Sequence, residues 1–130
     1  MKALIDLAVR ARESAYAPYS NHPVGAAILT ESGELFSGCN VENAAYPEGV
    51  CAEAGAISAM ILAGEKQIQD VVIAGPGEHL CTPCGGCRQK IREFSTSKTQ
   101  IHVVSRSGKI NSFLFDELLP ESFGPDCLDV

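Results

Sequence analysis

The sequence predicts an α/β fold in which a mixed five-stranded sheet is layered with helices. Two observations carry this. Segments of helical period and segments of strand character follow one another in the order α-β-β-α-β-α-β-β, and the run Asp70-Val71-Val72-Ile73-Ala74-Gly75, apolar and bounded by Gly and Pro, has the pattern of a buried strand.

The elements can be justified in order. Leu4, Ile5, Ala8, Val9, Ala11 and Ala15 approximate a helical stripe, which Ala17-Pro18-Tyr19-Ser20 breaks, so the first helix is expected to end near Tyr16. Val24 to Thr30 and Glu34 to Val41 read as two strands around the turn Glu31-Ser32-Gly33. After an irregular stretch through Pro47 and Gly49, a second helix runs from about Cys51 to Leu62 and stops at Gly64. The strand Asp70 to Gly75 follows, then a third helix from about Cys84 to Phe94, with Pro83 at its start, where a missing N–H costs nothing. Gln100 to Ser105 and Lys109 to Phe113 complete the sheet around Arg106-Ser107-Gly108.

At 130 residues the chain is of ordinary domain size, and 1–130 reads as one domain. Hydrophobic residues at 45% and charged ones at 20% exclude a disordered chain. Asp6, Arg10, Arg12 and Glu13 interrupt the N-terminal apolar pattern, which speaks against a signal peptide or membrane span and for a cytoplasmic protein. A net charge of −6 without a basic cluster argues against a nucleic-acid or anionic-membrane partner, because phosphate binding rests on Lys and Arg. A small, uncharged substrate suits this balance.

In a reducing compartment six cysteines point to metal or catalysis before disulfides. Cys51-Ala52-Glu53 and Pro83-Cys84-Gly85-Gly86-Cys87 offer three thiolates and one carboxylate. Three protein ligands leave the fourth tetrahedral position of Zn²⁺ open, as a catalytic site requires. Glu53 lies two residues after Cys51, about 200° round a helix, so it flanks the metal and suits general acid/base work. Cys84 and Cys87 at i and i+3 share a helix face, and helix N-termini favour thiolate over thiol. Two other readings stay open: Cys84-Gly85-Gly86-Cys87 as a redox pair, and a structural zinc closed by Cys81 in a non-catalytic binding module. Cys39 reads as a core residue, Cys127 as incidental, and His79 and His102 as structural or solvated.

Together these motifs match the signature of the zinc-dependent nucleobase deaminases. With Ala17-Pro18-Tyr19-Ser20, Pro23-Val24-Gly25-Ala26-Ala27, Gly38-Cys39-Asn40-Val41-Glu42-Asn43-Ala44, Leu118-Leu119-Pro120 and Phe123-Gly124-Pro125, the chain from about Ala15 onward resembles the small cytidine deaminases of nucleotide salvage. The resemblance implies the α-β-α layering of that family and one zinc per chain on Cys51, Cys84 and Cys87. It also implies hydrolysis of cytidine or deoxycytidine to uridine or deoxyuridine plus ammonia, with Glu53 carrying the proton. Asn40 and Glu42, two apart on a strand and on the same face, would bind the ribose. Backbone N–H groups near Ala52 would hold the pyrimidine carbonyl. Chains this short in the family are homotetramers whose neighbouring subunits complete each pocket, and the matching positions are Tyr46 and Phe123; core packing is the other reading of those two aromatics. Two departures bear on rate and substrate preference. Ala54 stands where three-cysteine members carry Arg, and His22 stands where they carry Phe, a ring expected near the base. Deamination of a modified cytosine nucleoside, of the blasticidin type, is the competing activity within this class.

Overall fold

The computed structural model describes residues 1–128 of the 130. Helix α1 spans Lys2–Glu13, strands β1 and β2 span Gly25–Thr30 and Leu35–Cys39, α2 spans Ala52–Leu62, β3 spans Ile68–Ala74, and α3 spans Gly85–Arg92. Strands β4 (Ser95–Val104) and β5 (Ile110–Leu114) follow, then a one-turn helix α4 (Phe115–Leu118). Short 3-10 turns lie at Tyr46–Glu48 and Pro125–Leu128. The sheet has five strands in the order β2-β1-β3-β4-β5, with β3 and β4 parallel and every other pair antiparallel. This is the mixed five-stranded α/β sheet that the sequence pattern predicts.

Because successive strand residues face opposite ways, one strand set feeds two cores. Ala26, Ile28, Val71, Ile73, Ile101 and Val103 pack with Ala56 and Met60 of α2, Ile91 of α3 and Phe115 of α4. Ala27, Val72, Ala74 and Val104 pack with Leu4 and Ala8 of α1 on the other face. The double burial explains why β3 reads as a continuous apolar run and not as an alternating one. Among the described residues no helix is long and apolar enough to cross a membrane.

Several boundaries differ from the expectations, each for a local reason. Helix α1 ends at Glu13, not near Tyr16: the Ser14 N–H turns back to the Ala11 carbonyl at 3.0 Å and the Ala15 N–H to the Arg12 carbonyl at 3.2 Å. Strand β2 ends at Cys39, not Val41; beyond it Val41 makes single bridges to Tyr16 and Val50, so Asn40 and Glu42 belong to an extended loop. Helix α3 begins at Gly85 and ends at Arg92, which makes Cys84 its N-cap residue and leaves Pro83 ahead of the cap. Strand β4 starts five residues before Gln100, at Ser95, across a register shift opposite Ile68 and Asp70. There the Thr99 hydroxyl donates to the Ile68 carbonyl at 2.7 Å and accepts from the Thr96 N–H at 2.8 Å. His102 is a buried structural residue, held between Asp70 Oδ1 and Ser112 Oγ, both at 2.7 Å.

Two helices meet the sheet through glycines that admit no side chain. A Cβ on Gly25 would lie 2.1 Å from the Ala8 carbonyl oxygen of α1. A Cβ on Gly38 would lie 2.4 Å from the Ala56 nitrogen and 2.5 Å from the Ala52 oxygen of α2. The second contact sets how closely the functional end of α2 approaches the sheet.

Candidate active site

Both cysteine motifs sit where an extended chain turns into a helix. Cys51 caps α2 at φ −75° and ψ 155°, and Cys84 caps α3 at φ −67° and ψ 170°. Neither residue is helical, so the shared face expected for Cys84 and Cys87 is replaced by a cap residue and a first-turn residue whose sulfurs still converge. The Sγ atoms of Cys51, Cys84 and Cys87 all lie within 4.8 Å of one another. Cys51 and Cys84 are exposed and Cys87 is buried.

Cys81 does not belong to this group. Its sulfur lies 3.6 Å from His22 Nε2 instead. The two helix starts therefore bring together three sulfurs, which fit a soft or borderline cation such as Zn²⁺ with a coordination position left over. The four-cysteine closed arrangement is not the one seen.

Glu53, in the first turn of α2, is only 6% exposed and lines the same cavity as the three cysteines. Burial pushes its carboxyl above the ordinary carboxylate range, against the opposing pull of its own backbone N–H, the Cys87 side chain and the Lys90 charge. The thiols differ. Cys84 is held below the ordinary thiol range, chiefly by the backbone N–H of Cys87, as the helix start suggests. Burial pushes Cys51 and Cys87 upward, so the expectation that all three favour thiolate is corrected for these two. A bound cation must displace their protons.

Arg88, next to Cys87, commits its guanidinium to oxygen acceptors. Its Nε donates to the Pro83 carbonyl at 2.7 Å, one terminal nitrogen donates to the Leu118 carbonyl at 2.6 Å, and the other to Thr82 Oγ1 at 3.1 Å. It fastens the segment before Cys84 to the end of α4.

The cavity holds about 260 Å³. His22, Asn40, Ala52 and Cys81 line it along with the cysteines and Glu53, and Val24 and Ile73 form apolar wall. Sequence reasoning passed over Val24 and Ile73, although their places beside Pro23 and on a buried strand are signals of packing into the site. Asn40 fixes this wall: its Oδ1 accepts from the Val24 N–H at 2.8 Å and its Nδ2 donates to the His22 carbonyl at 3.0 Å. Asn40→Ala removes both bonds and is expected to lower stability by about 1–3 kcal/mol, at the usual net worth of a hydrogen bond, in chemical denaturation.

Glu42 lines a separate hollow of about 330 Å³ together with Tyr19, Ser20 and Tyr46. Its carboxylate accepts from the Tyr19 and Ser20 N–H groups at 2.9 and 3.1 Å and from the Ser20 hydroxyl. Tyr46 is 76% exposed and Phe123 is 55% exposed. Neither lines the cysteine cavity within a single chain.

The model of the cytidine and deoxycytidylate deaminase zinc-binding region matches residues 1–103. The chain belongs to that family. Among its relatives, the cytidine deaminase of Sporosarcina psychrophila is 37% identical over 128 residues, covering 98% of this chain and 94% of the relative. The crystal structure of cytidine deaminase from Burkholderia pseudomallei superposes with a TM-score of 0.88 at 39% identity, covering 94% of this chain and 98% of that one. That from Mycobacterium tuberculosis gives 0.81 at 32% identity, covering 95% and 96%. The expected α/β family fold is thus shared with members of known structure. The zinc-binding family and the three-sulfur group agree on the class of metal that these residues suit.

Proposed function

We propose that this chain hydrolyses cytidine and deoxycytidine to uridine and deoxyuridine, releasing ammonia, in pyrimidine salvage. The observation that carries the reading is the convergence of Cys51, Cys84 and Cys87 beside a buried carboxylate in one cavity, in a member of the cytidine deaminase family.

Cys51, Cys84 and Cys87 would hold one zinc ion per chain. Bound there, the ion supplies Lewis acidity that makes water nucleophilic near neutral pH. Glu53 moves the protons. Its raised affinity for a proton, caused by burial, suits a group that takes a proton from water and gives it to N3 of cytosine, then takes the proton of the hydroxyl added at C4 and gives it to the departing amine as the carbonyl forms. The Ala52 N–H, at the first position of α2, has no carbonyl partner within the helix and would hold the pyrimidine carbonyl. The His22 ring stands on the cavity wall, at the position where an aromatic ring is expected near the base.

Asn40 and Glu42 would read the ribose. Both already hold the loop between Tyr19 and Val24, so the groups that contact the sugar also set the shape of the pocket. A panel of cytidine, deoxycytidine, cytosine and deoxycytidylate tests this. The nucleosides are expected to be deaminated efficiently and the free base and nucleotide poorly. Equal rates on base and nucleoside would remove the ribose from recognition.

The assembly proposed is a homotetramer with pockets shared between subunits. It is motivated by the exposure of Tyr46 and Phe123 and by their absence from the cavity of their own chain. Activity per chain is expected to fall on dilution in step with the mass measured by sedimentation. A fully active monomer would contradict the shared pocket. We further propose a cytoplasmic location, on the strength of free thiols that a reducing compartment preserves.

A further inference from the structure

We propose that His22 and Cys81 form a second, weaker site for a soft or borderline divalent cation, and that its occupation by Zn²⁺ inhibits the enzyme. The inhibitory half rests on the function proposed above; the binding half does not.

The geometry is that of two ligands on one ion. Cys81 Sγ and His22 Nε2 are 3.6 Å apart. Bonds of about 2.3 Å to sulfur and about 2.0–2.1 Å to nitrogen, at a tetrahedral angle, separate their donor atoms by about 3.5–3.6 Å. Both side chains are part-buried, and thiolate with imidazole is a donor pair that suits zinc.

Both partners are held in place before any ion arrives. Cys81 packs onto Gly75, where a Cβ would lie 2.7 Å from the Cys81 Cβ and 3.0 Å from its sulfur. The His22 backbone is clamped at both ends, its N–H donating to Ser20 Oγ at 3.1 Å and its carbonyl accepting from Asn40 Nδ2 at 3.0 Å. A pair fixed in this way loses little side-chain freedom on binding.

Charge favours a cation here. Three thiolates and the Glu53 carboxylate face this cavity, so even with one Zn²⁺ bound the formal sum is −2, and no Lys or Arg stands among the described residues that line it. The guanidinium of Arg88 is committed to Pro83, Leu118 and Thr82. Glu53 lines the same cavity, and its negative charge acts on Cys81. A cation on the pair therefore sits where a carboxylate oxygen and solvent can complete its shell, taking Glu53 away from proton transfer. Two protein ligands are fewer than the four of a structural site, which makes this site weak and its ion exchangeable. Binding forms one S–Zn and one N–Zn bond and releases the Cys81 thiol proton to solvent, with no change of oxidation state.

Equilibrium dialysis of the enzyme that already holds one zinc, against rising Zn²⁺, tests this. One tight and one weaker equivalent per chain are expected, with loss of turnover tracking the weaker one and a shift of the His22 imidazole resonances. Cys81→Ala is expected to keep the tight equivalent. It should weaken the second equivalent by at least about 10–100-fold, the scale lost even when an outer-shell partner is removed. A single equivalent at high zinc, or a second one unaffected by Cys81→Ala, overturns the site. A second equivalent that binds without slowing turnover overturns the inhibition alone. A protein inactive on every nucleoside still reports the site through dialysis and the His22 resonances.

Discussion

Glu53→Gln is expected to retain its metal and lose about 10²–10⁴-fold in turnover, the scale of a positioned acid/base group. The amide keeps the size of the side chain and its place at the start of α2, but it cannot accept and return a proton. Because Glu53 is 6% exposed and not one of the three converging cysteines, the change should leave the metal content of the purified protein unaltered. Metal analysis and turnover on the same preparation check both halves. Loss of zinc together with activity would make Glu53 a ligand; near-normal turnover with zinc present would take it out of the mechanism.

Gly38→Ala is expected to be the most damaging single methyl in the chain for this site. The new Cβ would fall within 2.4–2.8 Å of the backbone of Ala52, Gly55 and Ala56, where backbone and not a flexible side chain must give way. Overpacking of this kind costs typically about 1–3 kcal/mol. Here the strain is delivered to the first turns of α2, which carry Glu53 next to the Cys51 cap, so metal retention against a chelator should fall along with thermal stability. Gly55→Ala is the control. It lies across the same contact, but its Cβ would meet Gly38 Cα at 3.6 Å, an ordinary contact. An alanine there should be tolerated, and it gains up to about 1 kcal/mol of helix propensity. Equal damage from the two substitutions would show that the close approach at Gly38 does not position α2.

The parts of the fold that were legible in sequence are those with strong local signals. β3 announced itself as an apolar run between Gly and Pro, and α2 as an alanine-rich stretch ending at Gly64. The two cysteine motifs were legible because their spacing is short and their chemistry narrow. The start of β4 was not, because Ser95-Thr96-Ser97-Lys98-Thr99 is polar and its order comes from the hydroxyl of Thr99 reaching a carbonyl on β3. The one-turn helix α4 is too short for any periodicity, and it is tied down by Glu117 accepting from the Leu114 N–H.

At the site, burial shifts Cys51 and Cys87 against the direction that their helix starts suggest, because a motif reports the helix start but not how deeply the sulfur is buried. Asn40 was assigned to substrate alone. Its bonds to His22 and Val24, residues 18 and 16 positions away, belong to tertiary structure and leave no local trace in the sequence. Arg88 follows Cys87 directly, yet the fold commits its donors to the Pro83 and Leu118 carbonyls, partners that the motif does not show.

The most direct test of the central claim is a paired measurement of uridine and ammonia formed from cytidine by folded protein of known zinc content. One zinc per chain, equal amounts of the two products, and loss of both on removal of the metal with recovery on its return are expected. A folded protein holding one zinc that converts neither cytidine nor deoxycytidine would contradict that claim.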